Sequence, residues 1–302
     1  MSRKSKAGEE KPLLLTDRLL RGWPLPQPDE GGSKEERGRV LVVGGSSEMP
    51  GACILAATAA LRAGAGKLRI ATTERIAPFV ASAVPESRVF TLAETKSGAI
   101  SSRVAERVAE EAEKVQAVVI GPGMIDSRAV SSLMTKLLPL IESPVVILDA
   151  EALSCFSHAP KFLDRVRCKT ILTPHAEEMA GMIGESQQQV ERNREETARR
   201  AAEDFRAVVV LKGRETLIVS AGGEMYVNRA GNVGLATSGS GDVLSGIITG
   251  LAARGSQPAQ AAAWGVYLHA RAGERLAERM GRLGFLAREL PAEIPSLIEE
   301  LS

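Results

Sequence analysis

The chain has 302 residues, with 38 Lys plus Arg against 37 Asp plus Glu, and 44% of its residues are hydrophobic. That composition excludes a disordered polymer, and a net charge of +1 removes any whole-chain electrostatic argument for nucleic acid as a partner. No apolar run approaches the ~20 residues of a membrane helix, and the stretch at 12–15 is too short for a signal-peptide core, so a cytoplasmic protein with no membrane partner is expected.

Residues 1–10 are small and charged, and 22–37 mix Pro, Gly and charge without apolar periodicity. The expectation is a flexible tail over 1–16 and a single domain over 17–302. Short apolar runs at 40–43, 68–71, 89–92, 117–120, 145–148, 170–172 and 208–211 then alternate with helical periodicity at 52–63, 101–114, 128–141 and 187–204. This is the signature of an α/β fold with a mostly parallel central sheet and helices on both faces. Runs at 216–220 and 225–227 around Ala221, Gly222 and Gly223 predict a late antiparallel hairpin, followed by helices over 242–253 and 258–278. Only ten residues are aromatic, so Ala-rich helices should pack closely through small side chains. Cys53, Cys155 and Cys168 lack a disulfide or zinc spacing and read as buried thiols. His158 and His269 read as ordinary structural residues, no set of metal ligands is visible, and any metal would be a hard cation carried with phosphates.

Ligands of open α/β sheets bind beyond the carboxyl ends of the strands. The segments there are GGSSEMPGA (44–52), GPGM (121–124), DAEAL (149–153), TPHAEE (173–178), KGRET (212–216) and, after the hairpin, NRAGNVGLATSGSGD (228–242). The sharpest is SGSGD. Gly239, Ser240 and Gly241 would let a phosphate approach the open N–H groups of the following helix as an anion hole, and Asp242 in its first turn could take a proton from a hydroxyl held beside the phosphoryl group. Asp is also a common helix cap. Lys212 either reaches phosphates or solvates a strand end, and Asp149 and Glu178 either cap helices or orient ligands. Gly246 and Gly250 suggest close helix packing. Arg192, Arg194, Arg199 and Arg200 look like a solvated helix face. GGSSEMPGA has neither the GxGxxG nor the GxxxxGK[ST] spacing, which argues against a dinucleotide fingerprint or a P-loop.

Taken in order, VLVVGGSSEMPGA, GPGM, VVILDAEAL, ILTPHAEE, VVLKGRET and GNVGLATSGSGDVLSGIITGL resemble the ADP/ATP-dependent NAD(P)H-hydrate dehydratases, a family of the ribokinase-like fold, over about residues 17–300. The resemblance implies repair of hydrated nicotinamide cofactors: the S epimer of NADH hydrate or NADPH hydrate is dehydrated at the expense of ADP or ATP, with Mg2+ carried by the donor nucleotide. It further implies that Ala52, Gly123, His175 and Asp242 contact the hydrated dinucleotide, with Asp242 catalytic. Lys212, Gly213, Arg214, Glu215, Thr216 and Gly241 would contact the donor nucleotide. Asn228, Gly231 and Asn232 would shape the loop before the anion hole. Ala176 and Glu177 replace the Pro and Gly that family members carry after the His, and SKEERG at 33–38 departs from the usual loop. The family tends toward homotetramers, and some members are fused to an epimerase of the hydrate epimers. This chain is therefore expected to act as the dehydratase alone, functionally linked to a separate epimerase.

The competing reading is a ribokinase-like small-molecule kinase, which shares the anion hole and Asp. A nucleotide-sensing module without turnover is weaker, because a sensor needs no base at Asp242. The donor stays open between ADP and ATP, leaning toward ADP.

Overall fold

Uninterrupted apolar strands need apolar cover on both faces. The computed structural model, which describes residues 11–29, 31, 33–157 and 165–302 and the backbone of His158, meets that need with one ten-stranded sheet. Its strands are β1 (Leu13–Leu14), β2 (Arg39–Val43), β3 (Lys67–Thr73), β4 (Ser87–Leu92), β5 (Ala117–Ile120), β6 (Val145–Leu148), β7 (Thr170–Leu172), β8 (Val208–Leu211), β9 (Thr216–Val219) and β10 (Met225–Asn228). The spatial order is β1-β10-β9-β8-β7-β6-β5-β2-β3-β4, and β9 alone runs against its neighbours. The mostly parallel sheet and the late antiparallel hairpin are thus as the sequence led one to expect.

The helices are α1 (Asp17–Arg21), α2 (Pro50–Arg62), α3 (Ala77–Ala83), α4 (Ala105–Ala112), α5 (Ser127–Leu137), α6 (Cys155–His158), α7 (Ala176–Ile183), α8 (Gln187–Arg192), α9 (Arg194–Asp204), α10 (Ser240–Ala253), α11 (Pro258–Met280) and α12 (Leu290–Leu301). Alternate residues of each strand feed two cores. Val40 and Val42 join α2, α10, α11 and α12 on one face, while Leu41 and Val43 join α4, α5, α7 and α9 on the other. On the first face small residues set the spacing: a Cβ on Gly246 would lie 2.2 Å from the Ala56 carbonyl oxygen, and one on Gly250 would lie 2.4 Å from that of Ala60. The two glycines therefore exist for the α2–α10 contact. The three cysteines are buried, and burial raises each thiol well above its ordinary pKa.

Several expectations need correcting. Residues 1–10 of the expected tail lie outside the described residues, but Leu13 and Leu14 pair in parallel with Tyr226 and Val227, because β10 would otherwise leave an unpaired edge. The single helix expected over 187–204 is two: Asn193, at φ −125° and ψ 40°, ends α8 and opens α9. Helices α1, α3, α6, α7 and α12 were not among the expected ones. The last two sit in segments that look breaker-rich, α7 directly after Thr173-Pro174 and α12 with Pro291 and Pro295 inside it.

Two features place the site. The chain runs from β2 to β3 and β4 on one side, then returns to lay β5 on the other side of β2. That reversal opens a crevice between the loops after β2 and β5. The β6 to β8 loops and the start of α10 stand beside it.

Candidate active site

The crevice between β2 and β5 is built almost wholly of backbone. Gly45 N–H donates to the Pro122 carbonyl at 2.7 Å, and a Cβ on Gly44 would lie 2.2 Å from that same oxygen. Gly121 and Gly123 both have positive φ, 128° and 70°, which L side chains rarely adopt. A Cβ on Gly123 would meet the Met49 carbonyl at 2.4 Å and the Ala52 Cβ at 3.0 Å, so the expected contact residues Ala52 and Gly123 are neighbours. Cys53, next to Ala52, donates its thiol to the Pro50 carbonyl at 3.2 Å. Burial, with the Asp242 charge adding, pushes that thiol up to about 12, so it is a neutral neighbour of Asp242 and no nucleophile.

The other wall is charged. Lys212 follows β8, and its N–H is pinned to the Pro174 carbonyl at 2.8 Å. Its ammonium lies 3.1 Å from Asp149 Oδ1 and 3.5 Å from Glu178 Oε2. Asp149 is 1% exposed and also accepts from Thr173 Oγ1 at 2.7 Å. Burial alone would lower the Lys212 pKa, but the two carboxylates outweigh it and hold it above its ordinary value. Lys212 is therefore a fixed, largely buried charge, and the strand-end solvation reading falls. Neither Asp149 nor Glu178 is a plain cap. Asp149 makes no side-chain cap bond, and Glu178 both caps and faces Lys212.

His175 is the N-cap of α7. Its Nδ1 accepts from Glu178 N–H at 3.2 Å, while its own N–H donates to Glu178 Oε2 at 2.7 Å. This reciprocal box survives the replacement of Pro and Gly by Ala176 and Glu177, since the helix supplies the geometry. With its lone pair at Nδ1 committed to Glu178 N–H, the ring turns Nε2 toward the same residue, 3.3 Å from Glu178 Oε1. The imidazole is exposed.

Both walls meet at the start of α10. Gly239, at φ 86°, caps the helix, and a Cβ on Gly241 would lie 3.6 Å from Lys212 Nζ. Of the first-turn donors, Ser240 N–H is already given to the Thr237 carbonyl at 3.2 Å. Among the described residues the N–H groups of Gly241 and Asp242 have no backbone acceptor. The open donors of the expected Gly239, Ser240, Gly241 cradle thus include Asp242 and not Ser240. Burial first, then the Asp149 charge and that of Glu178, push the Asp242 carboxyl up to about 7 against the opposing pull of Lys212. A carboxyl poised near neutrality can both take and return a proton.

The KGRET segment is held from below by a residue the sequence misplaced. Arg194 was expected on a solvated helix face, yet its Nη2 donates to the carbonyls of Leu211, Lys212 and Glu215 at 3.0, 3.1 and 3.1 Å. A Cβ on Gly213 would sit 2.6 Å from that guanidinium nitrogen. The break at Asn193 puts Arg194 at the first position of α9, under the loop, whereas a continuous helix periodicity gives no sign of it. Arg199 likewise donates to the Gly223 carbonyl at 2.6 Å. Thr216 Oγ1 closes the turn on the Gly213 carbonyl, Glu215 pairs with Arg229 at 3.0 Å, and Arg214 is exposed. A cleft of about 570 Å³ lies beside Arg194, Arg214 and Glu215. Asn228, Gly231 and Asn232 do shape the loop before α10: Asn228 Nδ2 donates to the Ala230 carbonyl, and Asn232 Oδ1 accepts from Gly234 N–H.

Comparison with known proteins gives the family of this chain. The family model for NAD(P)H-hydrate dehydratase matches residues 40–296. The chain is 45% identical over 290 residues to the ADP-dependent (S)-NAD(P)H-hydrate dehydratase of Xanthomonas campestris, covering 95% of this chain and 96% of that one. It is 39% identical to the bifunctional NAD(P)H-hydrate repair enzyme of Moorella thermoacetica, over 95% of its own length and 54% of that relative's. In structure it is similar to the ADP/ATP-dependent NAD(P)H-hydrate dehydratase of Bacillus subtilis co-crystallized with ATP/Mg2+, with a TM-score of 0.81, 30% identity, and 96% of this chain and 99% of that one covered. On both sequence and structure the chain belongs to the NAD(P)H-hydrate dehydratase family, with its ribokinase-like fold.

Proposed function

We propose that this chain dehydrates the S epimer of NADH hydrate or NADPH hydrate at the expense of ADP or ATP, regenerating the reduced cofactor. The observation that carries the reading is the Asp242 carboxyl, pushed up to about 7 at the first turn of α10 and faced by the Lys212, Asp149 and Glu178 charges. Hydroxide is a poor leaving group, so the ring hydroxyl needs conversion to a phosphate ester before the carbon–oxygen bond breaks. Asp242 takes the hydroxyl proton as that oxygen attacks the donor's terminal phosphoryl group. The open N–H groups of Gly239, Gly241 and Asp242 receive the charge that builds on the phosphoryl oxygens. Phosphate then departs with the bonding electrons, the ring nitrogen's pair assists, and loss of the neighbouring carbon's proton restores the double bond.

The glycine-built crevice with Ala52 and Gly123 takes the hydrated dinucleotide, against which the exposed His175 imidazole is held by Glu178. Lys212, Gly213, Arg214, Glu215, Thr216 and Gly241 take the donor nucleotide. Asp149 and Glu178 are engaged by the Lys212 ammonium, so magnesium would arrive with the donor nucleotide's phosphates rather than be held by a dedicated set of carboxylates. When bound it offsets phosphate charge. One ribokinase-like unit over 17–302 carries both walls of the site. A cytoplasmic homotetramer functionally linked to a hydrate epimerase completes the reading. Among the described residues no helix is long and apolar enough to cross a membrane.

The test is purified protein with magnesium, NADH hydrate and either ADP or ATP, following reduced-nicotinamide absorbance and phosphate release together. Recovery stoichiometric with phosphate in one donor's presence establishes the reaction and names the donor. A stable phosphorylated product with no recovered absorbance would instead establish the small-molecule kinase.

A further inference from the structure

Helix α11 grips the loop that leads into α10 at three points. Glu274 Oε1 accepts from Gly231 N–H at 2.8 Å, the Gly273 carbonyl accepts from Asn232 Nδ2 at 2.8 Å, and His269 Nε2 meets Ser240 Oγ at 3.0 Å. The last contact is unlike the others, because Ser240 is the first residue of α10 and stands directly before Gly241 and Asp242. Both partners are more than nine-tenths buried, Ser240 at 5% and His269 at 8% exposure. Close approach of the two helices at Gly265, where a Cβ would lie 2.5 Å from Ile248 Cγ1, leaves the pair little room to move.

A serine hydroxyl at a helix start ordinarily bonds the nearest open backbone group. Here the nearest open groups are the ones the phosphoryl oxygens need. We infer that His269 is a positioning residue for phosphoryl transfer: by holding Ser240 Oγ it keeps the hydroxyl out of the anion hole. The inference rests on the donor-site reading given above. Burial, with the nearby Lys212 charge adding, lowers the His269 pKa to about 4 against a Ser240 backbone bond, so the ring is a neutral partner at working pH. It takes no proton from substrate. Its role is to occupy a competing hydroxyl.

The test is a double-mutant cycle of His269→Leu and Ser240→Ala, read as kcat and KM for the donor. His269→Leu frees the hydroxyl and should lower kcat ~10-fold while KM for the donor stays within ~2-fold, since the lost interaction belongs to the transition state. Ser240→Ala should cost no more than ~3-fold, and the double variant should match Ser240→Ala rather than the product of the two losses. His269→Gln, which keeps a polar partner near the hydroxyl, should stay within ~3-fold of wild type and serves if the leucine variant does not fold. The tightening by fluoroaluminate of binding of the nucleotide left after transfer (AMP for an ADP donor, ADP for an ATP donor), measured calorimetrically, gives a second readout that needs no hydrate: it should weaken ~10-fold in His269→Leu and return in the double variant. Losses that multiply, or variants that melt earlier with unchanged kcat and unchanged fluoroaluminate tightening, would overturn the inference. Failure of the wild type on hydrate, with the fluoroaluminate pattern as described, would count against the dehydratase reading alone.

Discussion

The two walls of the site are made of different materials. The crevice between β2 and β5 is backbone and glycine, shaped by contacts such as Gly45 N–H to the Pro122 carbonyl. The opposite wall is charge: Lys212 between Asp149 and Glu178, with Arg194 gripping three carbonyls beneath it. A wall of backbone recognises shape and tolerates no added atom, whereas a wall of charge recognises phosphate and is sensitive to pH. The two should therefore fail in different ways, and Asp242, where they meet, should fail in both.

Asp242→Asn tests that meeting point, and its effect should be the largest. Turnover should fall ~10^3-fold, as expected for loss of a positioned base. Because the folded carboxyl titrates at about 7 instead of 3.8, the folded state holds this proton more tightly than the unfolded chain does. The associated stability is fully present below about pH 4 and is lost as pH rises through about 7. The asparagine variant should thus exceed wild type by about 2–4 kcal/mol in urea unfolding at pH 8, with the advantage vanishing toward pH 4. In the wild type, kcat/KM should fall on the acid side of about pH 7, because the base must be ionised.

Lys212→Met comes next. It leaves the Asp149 carboxylate buried without its ammonium, and should cost about 3 kcal/mol of stability together with most ADP affinity, read by unfolding and by calorimetry. Gly44→Ala breaks the other wall by shape alone: its Cβ meets the Pro122 oxygen at 2.2 Å, so about 2 kcal/mol should be lost, while the folded fraction binds ADP as wild type does. Equal loss of ADP binding in Gly44→Ala would erase the distinction between the walls. Arg194→Lys should have the smallest effect, a rise of ~5-fold in donor KM with kcat nearly unchanged, because one ammonium cannot reproduce the guanidinium's grip on three carbonyls.

Much of this was legible in the residues. The parallel sheet followed from apolar runs such as 117–120 and 208–211, which are buried on both faces. SGSGD announced a helix start that phosphate can approach, and Gly246 and Gly250 announced a close helix contact. Arg194 and His269 were missed for the same reason: each side chain reaches a segment far away in sequence, and periodicity describes only an element's own face. His175 and Glu178 were seen as candidates, but their mutual capping of α7 was not, because Thr173-Pro174 reads as a loop.

The order of motifs and the alternation of strands and helices, both local properties of the chain, determined the fold class and the reaction to expect. Only the tertiary structure decided which charges face Asp242, that Lys212 is a largely buried, fixed cation, that Ser240 is turned away toward His269, and that Arg194 lies under the nucleotide segment. Those are outcomes of burial, of contact between distant residues such as Ser240 and His269, and of charges that come near each other only in the fold, such as Asp149 and Asp242. A pKa or a hydrogen-bond partner depends on what surrounds a group in space, and that is settled only when the sheet, α10 and α11 have come together.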